Sequence, residues 1–498
     1  MSSVRINIVA NMLGSGWAAF LSLAFVPLYI HFLGLESYGL IGFYVTLQVL
    51  FSVLDMGLTT TLSREMARLS AAGNAAAQDM RNVVRTLEVV YWVLAVFIIT
   101  AVVLTADWIA TSWLNSNRLP PDVLGSSITL MGVVIAFRMP YGFYAGGLIG
   151  LQRQVLLNGM KSAIETFRNG GGVIVIWLVS PTITAFFTWH AIAGVIAAIL
   201  SRMVLWRSLP RANGRASFTP SLFRQLWSFG AGMSAISLLA LLLVELDKII
   251  LSKMLPLDEL GYYMLASTVA MGINLIIVPL VLAIQPRLTQ LVAGGDVTGL
   301  RQIYHMGCQL MTVLVMPFAL GLCFFSEPLL RIWTQNADIA RFSAPVLSLL
   351  ALGTAMNAMM NIPYALQLAH GWTRLALITT SISVLVLVPA LIVMIDKFGV
   401  IGAASIWVVL NAGNVLLTLP IVHAKFLRGE YKHWLLVDFL RPTCVVLAVL
   451  GLGRFFMPEE TSMTGEAVWI ALWVTASLFV GAKVTPVTRS YISRKTAG

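Results

Sequence analysis

The chain has 498 residues, of which 58% are hydrophobic and 11% charged, and its formal net charge is +11. A soluble domain carries about 25% charged residues, so this composition excludes a globular protein wetted on all sides and indicates an integral membrane protein. Its Lys and Arg are scattered among apolar runs and form no single patch, which argues against a nucleic-acid partner and for charges that orient helices in a bilayer.

Apolar runs long enough to span, ~20 residues each, predict helices near 7–32, 39–62, 83–106, 123–150, 158–179 and 183–206. A second set is predicted near 226–252, 260–285, 301–325, 343–369, 374–395 and 400–423, followed by a pair near 434–456 and 465–484. The first run follows Arg5 and exceeds a signal-peptide core, so it reads as an uncleaved helix. The expected fold class is all-α and polytopic, with about 14 transmembrane helices. A polar, turn-rich stretch from Arg207 to Pro220 separates the two large sets.

These sets echo one another. Leu33-Gly-Leu-Glu-Ser-Tyr-Gly-Leu40 and Leu69-Ser-Ala-Ala-Gly-Asn74 return as Leu255-Pro-Leu-Asp-Glu-Leu-Gly-Tyr262 and Leu291-Val-Ala-Gly-Gly-Asp296. A shift of 222 superposes Leu33, Leu35, Glu36, Gly39, Leu69, Ala71 and Gly73 on Leu255, Leu257, Asp258, Gly261, Leu291, Ala293 and Gly295 without a gap. Pro140-Tyr141 and Pro363-Tyr364 repeat at a shift of 223. Internal repetition of this length marks a duplication. Six helices between the echoes keep both copies in one membrane orientation, as in parallel transporter repeats. The expected layout is a six-helix lobe over 1–206, a cytoplasmic linker over 207–225, a second six-helix lobe over 226–426, and a helix pair with a cytoplasmic tail over 427–498.

Charge gives the orientation. On this layout, 22 Lys and Arg fall on one side and six on the other: Arg118, Lys253, Arg331, Arg341, Lys397 and Arg454. The positive-inside rule then places both termini in the cytoplasm. The outer loops reach only about 15 residues near 107–122 and 326–342, too short for a folded domain of their own. Function must therefore reside among the helices.

An ionisable side chain in hydrocarbon costs roughly 2.5–3.5 kcal/mol or more unless it meets a cavity or a partner. Arg138 sits mid-helix beside Pro140 with no acid within one turn, so it either lines a cavity or pairs across helices, for example with Asp55. Gly142, Gly146 and Gly150 follow at four-residue spacing and offer a flat face to a neighbouring helix. Glu165 and Arg168, three apart, can neutralise each other, and Gly170-Gly171-Gly172 after them would loosen their helix. Glu245 and Lys248 have the same spacing, while Asp247 points elsewhere. Asp55 would pair or sense protons. Arg64 and Arg287, at the inner ends of equivalent helices, either flank an inward-opening vestibule or anchor the chain, and Arg441 can snorkel.

Several kinds of chemistry find no support. The chain lacks a Gly-x-x-x-x-Gly-Lys-Ser/Thr phosphate loop and a His-Glu-x-x-His motif. Its six histidines are scattered and suggest no shared metal, and Cys308, Cys323 and Cys444 have no metal-ligand spacing. Neither a catalytic constellation nor a cofactor is expected.

Val26-Pro-Leu-Tyr29, the Leu33–Gly39 motif, Leu54-Asp-Met-Gly-Leu58 and Arg64 resemble the opening of the polysaccharide transporters, or O-antigen flippases. These belong to the multidrug/oligosaccharidyl-lipid/polysaccharide (MOP) exporter superfamily. Asp247-Lys-Ile-Ile-Leu-Ser-Lys253, Leu260-Gly-Tyr-Tyr263 and Gln285-Pro-Arg287 resemble the second-lobe signature of the same family. The likeness runs through roughly the first 420 residues.

The resemblance implies two lobes around a cationic cavity that opens alternately to either side, in the bacterial inner membrane. It also implies an undecaprenyl-pyrophosphate-linked oligosaccharide as substrate, membrane lipid as surroundings, and polysaccharide polymerase machinery as recipient. Arg138 and Lys248 would supply the cationic character. The competing reading is an ion-coupled multidrug or cation exporter of the same superfamily, which Asp55 and Asp247 keep open. A membrane glycosyltransferase, polymerase or ligase would need larger outer loops.

Overall fold

The structure, a computed structural model, describes residues 13–14, 16–458 and 462–485. The predicted start of the first helix and the basic residues Arg5, Arg489, Arg494 and Lys495 lie outside these. The chain divides into two compact units, Met1–Gly261 and Tyr262–Gly498. Eleven helical stretches among the described residues are long and apolar enough to cross a membrane. The protein is a multi-pass, all-helical membrane protein. The only strand-like pairing among the described residues is an isolated bridge between Asn115 and Pro256.

The first unit holds α1 (Gly16–Leu33), α2 (Leu35–Asp55), α3 (Leu58–Ala71), α4 (Ala77–Trp113) and α5 (Pro121–Gly150). It continues with α6 (Gln154–Leu178), α7 (Ile183–Ser208) and α8 (Pro220–Met254). On α4, Tyr91, Ala95, Ile98, Val102 and Ala106 are buried, while Val93, Val96, Phe97 and Leu104 are exposed. A helix apolar on both faces suits a bilayer, where the outward side chains meet lipid.

α9 (Leu257–Met271) opens at the boundary between the units. The second unit then carries α10 (Asn274–Ala293), α11 (Val297–Phe324), α12 (Ser326–Thr334), α13 (Ala337–Ala369) and α14 (Arg374–Phe426). It ends with α15 (Tyr431–Phe455) and α16 (Met463–Val484). Gly399, at φ 56°, breaks α14 into two helices, because this left-handed conformation is readily open only to glycine.

The internal echo has a structural counterpart. The helical stretch from Leu35 to Ala71 is interrupted at Met56 and Gly57, and the stretch from Leu257 to Ala293 at Gly272 and Ile273. Their first and last residues differ by the same 222 positions that relate the motifs. Gly39 lies against the carbonyl oxygen of Leu257, and Gly261 against that of Leu35, so the two motif copies pack reciprocally. Glu36, also in the motif, accepts hydrogen bonds from Ser116 Oγ at 2.6 Å and from the backbone N–H groups of Asn117 at 2.7 Å and Arg118 at 3.0 Å. It thereby fixes the segment between α4 and α5.

Candidate functional site

The site lies within the first unit and begins with how α5 is held. Gly146 rests on Thr59, and Gly150 on Ser63 and Met66, so glycines one turn apart let α5 approach α3 closely. Gly142, one turn earlier, has nothing within 4 Å of where a Cβ would be. The stripe predicted as one flat face is therefore split: its later glycines make a helix contact and Gly142 borders open space.

That space is a cavity of about 690 Å³ whose lining includes Gln48, Asp55, Arg138, Gln154, Lys161 and Glu165. Arg138 is exposed to it and makes no hydrogen bond or ion pair among the described residues. Asp55, its predicted alternative partner, is held elsewhere. Its carboxylate accepts hydrogen bonds from Thr59 Oγ1 at 2.5 Å and from the Tyr91 hydroxyl. Glu165 is also engaged, with Arg168 Nη2 at 2.5 Å and Asn169 Nδ2 at 3.2 Å. The local pair read from the sequence is present.

The three glycines after it do not loosen α6, which runs unbroken through them. Gly171 lies under the Trp189 ring and Gly172 against His190, so these positions serve close packing of α6 on α7.

Lys248 is buried and bonded to Glu245 Oε2 at 2.9 Å, so its charge is answered within α8. The Asp247 carboxylate accepts from the Lys248 backbone N–H at 2.8 Å. Arg64 pairs with Glu65 at 3.0 Å, and Arg68 meets the same carboxylate at 2.7 Å. Arg287 is exposed and donates to Gln290 Oε1 at 3.2 Å. Arg441 is exposed. Of the four predicted cationic candidates, only Arg138 lines the described cavity.

Three features escaped the sequence reading. Lys161, one of the 22 Lys and Arg that the charge asymmetry assigns to the cytoplasmic side, lies on α6, lines the cavity and makes no hydrogen bond or ion pair among the described residues. Glu88, buried on α4, collects Arg85 Nη1 at 2.8 Å, Arg202 Nε at 2.7 Å, Tyr144 Oη at 2.8 Å and Trp206 Nε1 at 3.1 Å. Two arginines assigned to membrane orientation thus neutralise an interior acid. Finally, the histidines are not all scattered, since His305 and His433 meet at Asp438 in the second unit. Residues so far apart in sequence give no spacing signal.

Residues 4–292 match the family described as "Polysaccharide biosynthesis protein", and residues 233–393 match MatE. The chain is 22% identical over 408 residues to a Shigella flexneri protein named "Putative O-antigen transporter", covering 82% of this chain and 94% of that one. It is 23% identical over 361 residues to the teichuronic acid biosynthesis protein TuaB of Bacillus subtilis (strain 168), covering 69% of this chain and 71% of that one. The fold is similar to that of the lipid II flippase MurJ in an inward closed conformation, with a TM-score of 0.67 at 15% identity over 99% of this chain and all of that one. The first match alone spans more than half of the residues, and the chain belongs to the polysaccharide biosynthesis protein family.

Proposed function

We propose that this protein is a flippase that moves an undecaprenyl-pyrophosphate-linked oligosaccharide, an O-antigen or other surface repeat unit, from the inner to the outer leaflet by alternating access. The observation that carries this reading is Arg138, a guanidinium deep in an apolar helix, open to a cavity and unpaired among the described residues. Lys161 adds a second cation to the same lining. A diphosphate cannot enter hydrocarbon without partners for its charge, and charge-assisted hydrogen bonds from Arg and Lys replace its hydration. Gln48 on the same lining offers an amide to sugar hydroxyls. The family match and the relatives named for O-antigen and teichuronic acid support a glycan cargo.

The MatE match supports a second reading, a cation exporter. Such a pump needs a carboxylate free to exchange a cation. Asp55 and Glu165 are already hydrogen-bonded, and the lining charges without a bonded partner are positive. The charge sign favours the anionic cargo.

The 22-to-6 asymmetry of Lys and Arg supports cytoplasmic termini in a bacterial inner membrane. Polysaccharide polymerase machinery would receive the cargo outside. Deletion of the gene, followed by chemical analysis of lipid-linked sugars in each leaflet, tests the assignment. Accumulation of one oligosaccharide-pyrophosphate lipid on the cytoplasmic side is expected, and an unchanged leaflet distribution would overturn it.

A further inference from the structure

We propose that His305, His433 and Asp438 form a binding site for a divalent transition-metal ion of the zinc class. The site lies in the second unit, within the described residues, and plays no part in the cavity chemistry above. His305 comes from the early turns of α11. His433 and Asp438 come from the start of α15, where residues Trp434–Leu440 form a π-helical turn.

That turn places the ligands. In an α-helix, residues five apart differ by about 140° around the axis, at 3.6 residues per turn. A π-helix closes its hydrogen bonds from i to i+5, so positions five apart fall on one side, and such turns recur at functional sites. His433 Nε2 accordingly comes to 3.9 Å from Asp438 Oδ1. His305 Nδ1 contacts the other carboxylate oxygen, Oδ2. One donor atom from each of the three residues lies within 4.8 Å of the others. Two imidazoles and a carboxylate suit zinc or its neighbours far better than magnesium or calcium, which prefer all-oxygen sites.

Three further observations point to a cation. Asp438 is fully buried, and a buried carboxylate needs a compensating charge. Among the described residues its bonded partners are His305 and Gln309, whose Nε2 donates to Oδ1 at 2.8 Å, and neither carries a fixed charge. His305 Nε2 is buried without a hydrogen bond, 3.3 Å from Glu430 Oε2, so a second carboxylate adds negative charge on the far side of the ring that meets Asp438. Arg301 Nε reaches Glu430 at 3.5 Å and offsets that acid only. A divalent ion would balance the remainder and fasten the head of α15 to α11.

The test uses the full-length chain, purified with a histidine-free tag, stripped with chelator and dialysed against Zn²⁺ or Co²⁺. About one Zn²⁺ per chain, a tetrahedral Co²⁺ spectrum, and a melting temperature raised by Zn²⁺ but unchanged by Mg²⁺ or Ca²⁺ are expected. His433→Ala removes a half-exposed ligand, so the stripped variant should melt like the stripped wild type while binding Zn²⁺ at least about tenfold more weakly. Asp438→Asn should lose the Co²⁺ spectrum. Substoichiometric Zn²⁺ in the wild type, or wild-type Zn²⁺ affinity in His433→Ala, overturns the proposal and leaves a hydrogen-bonded histidine–carboxylate network in its place.

Discussion

Arg138 and Asp55 line one cavity without pairing: the carboxylate is bonded to Thr59 and Tyr91, and the guanidinium stays open to the space between helices. The protein thus maintains a positive charge in its interior at some energetic cost, which a purely structural arginine would have relieved through the nearby acid. Arg138→Ala should reduce surface polysaccharide at least about tenfold, since a charge-assisted hydrogen bond contributes ~1.5–3 kcal/mol. Immunoblotting for the protein and gel analysis of the glycan check this. Arg138→Lys separates two modes of recognition, because Lys keeps the charge and loses the bidentate fork.

Lys161 reaches the same cavity from α6. Lys161→Ala should weaken export several-fold, and Lys161→Glu should lower it further by placing an unpaired acid there. Measured flux of a labelled lipid-linked oligosaccharide in vesicles, with both variants at equal protein level, decides this. Activity equal to wild type in Lys161→Glu would remove Lys161 from the binding surface.

Glu165 and Arg168 are bonded at 2.5 Å, one turn apart on α6. Arg168→Ala frees a carboxylate on the cavity wall and should lower export. The double exchange Glu165→Arg with Arg168→Glu should recover most of it, since a helical i,i+3 pair contributes about 0.2–0.5 kcal/mol and is only somewhat weaker in the reversed order. Failure of the double exchange alongside normal folding would show that the individual positions matter to the cargo.

Gly39 and Gly142 should respond in opposite ways to the same change. A Cβ on Gly39 would collide with the backbone carbonyl of Leu257, which cannot turn aside as a side chain can. Gly39→Ala should therefore cost ~1–3 kcal/mol, the usual range for overpacking. Gly142→Ala meets no atom within 4 Å and should melt like the wild type. Thermal unfolding of the purified variants in detergent reads both.

Much of the architecture was written in the order of residues. Apolar run length announced an all-helical, multi-pass chain, because lipid demands a spanning length of each segment separately. The echo at 222 positions announced stretches whose observed ends, Leu35 and Ala71 against Leu257 and Ala293, are offset by that number. The Glu165–Arg168 pair was equally legible, since one turn of helix suffices to bring its members together.

What the tertiary structure decided was which charges are answered. Lys248 and Arg138 are each a cation in an apolar helix, and helical spacing already gives Lys248 a partner in Glu245 while Arg138 has no acid within a turn. The packing of neighbouring helices decides that the Glu245–Lys248 pair is buried and that Arg138 opens on a cavity whose Asp55 is held by Thr59 and Tyr91. The cavity position of Lys161, the bond from Arg202 to Glu88, and the meeting of His305 with His433 were hidden for the same reason. Helical periodicity governs residues three or four apart, whereas contacts across 114 or 133 positions exist only once helices from distant parts of the chain lie side by side.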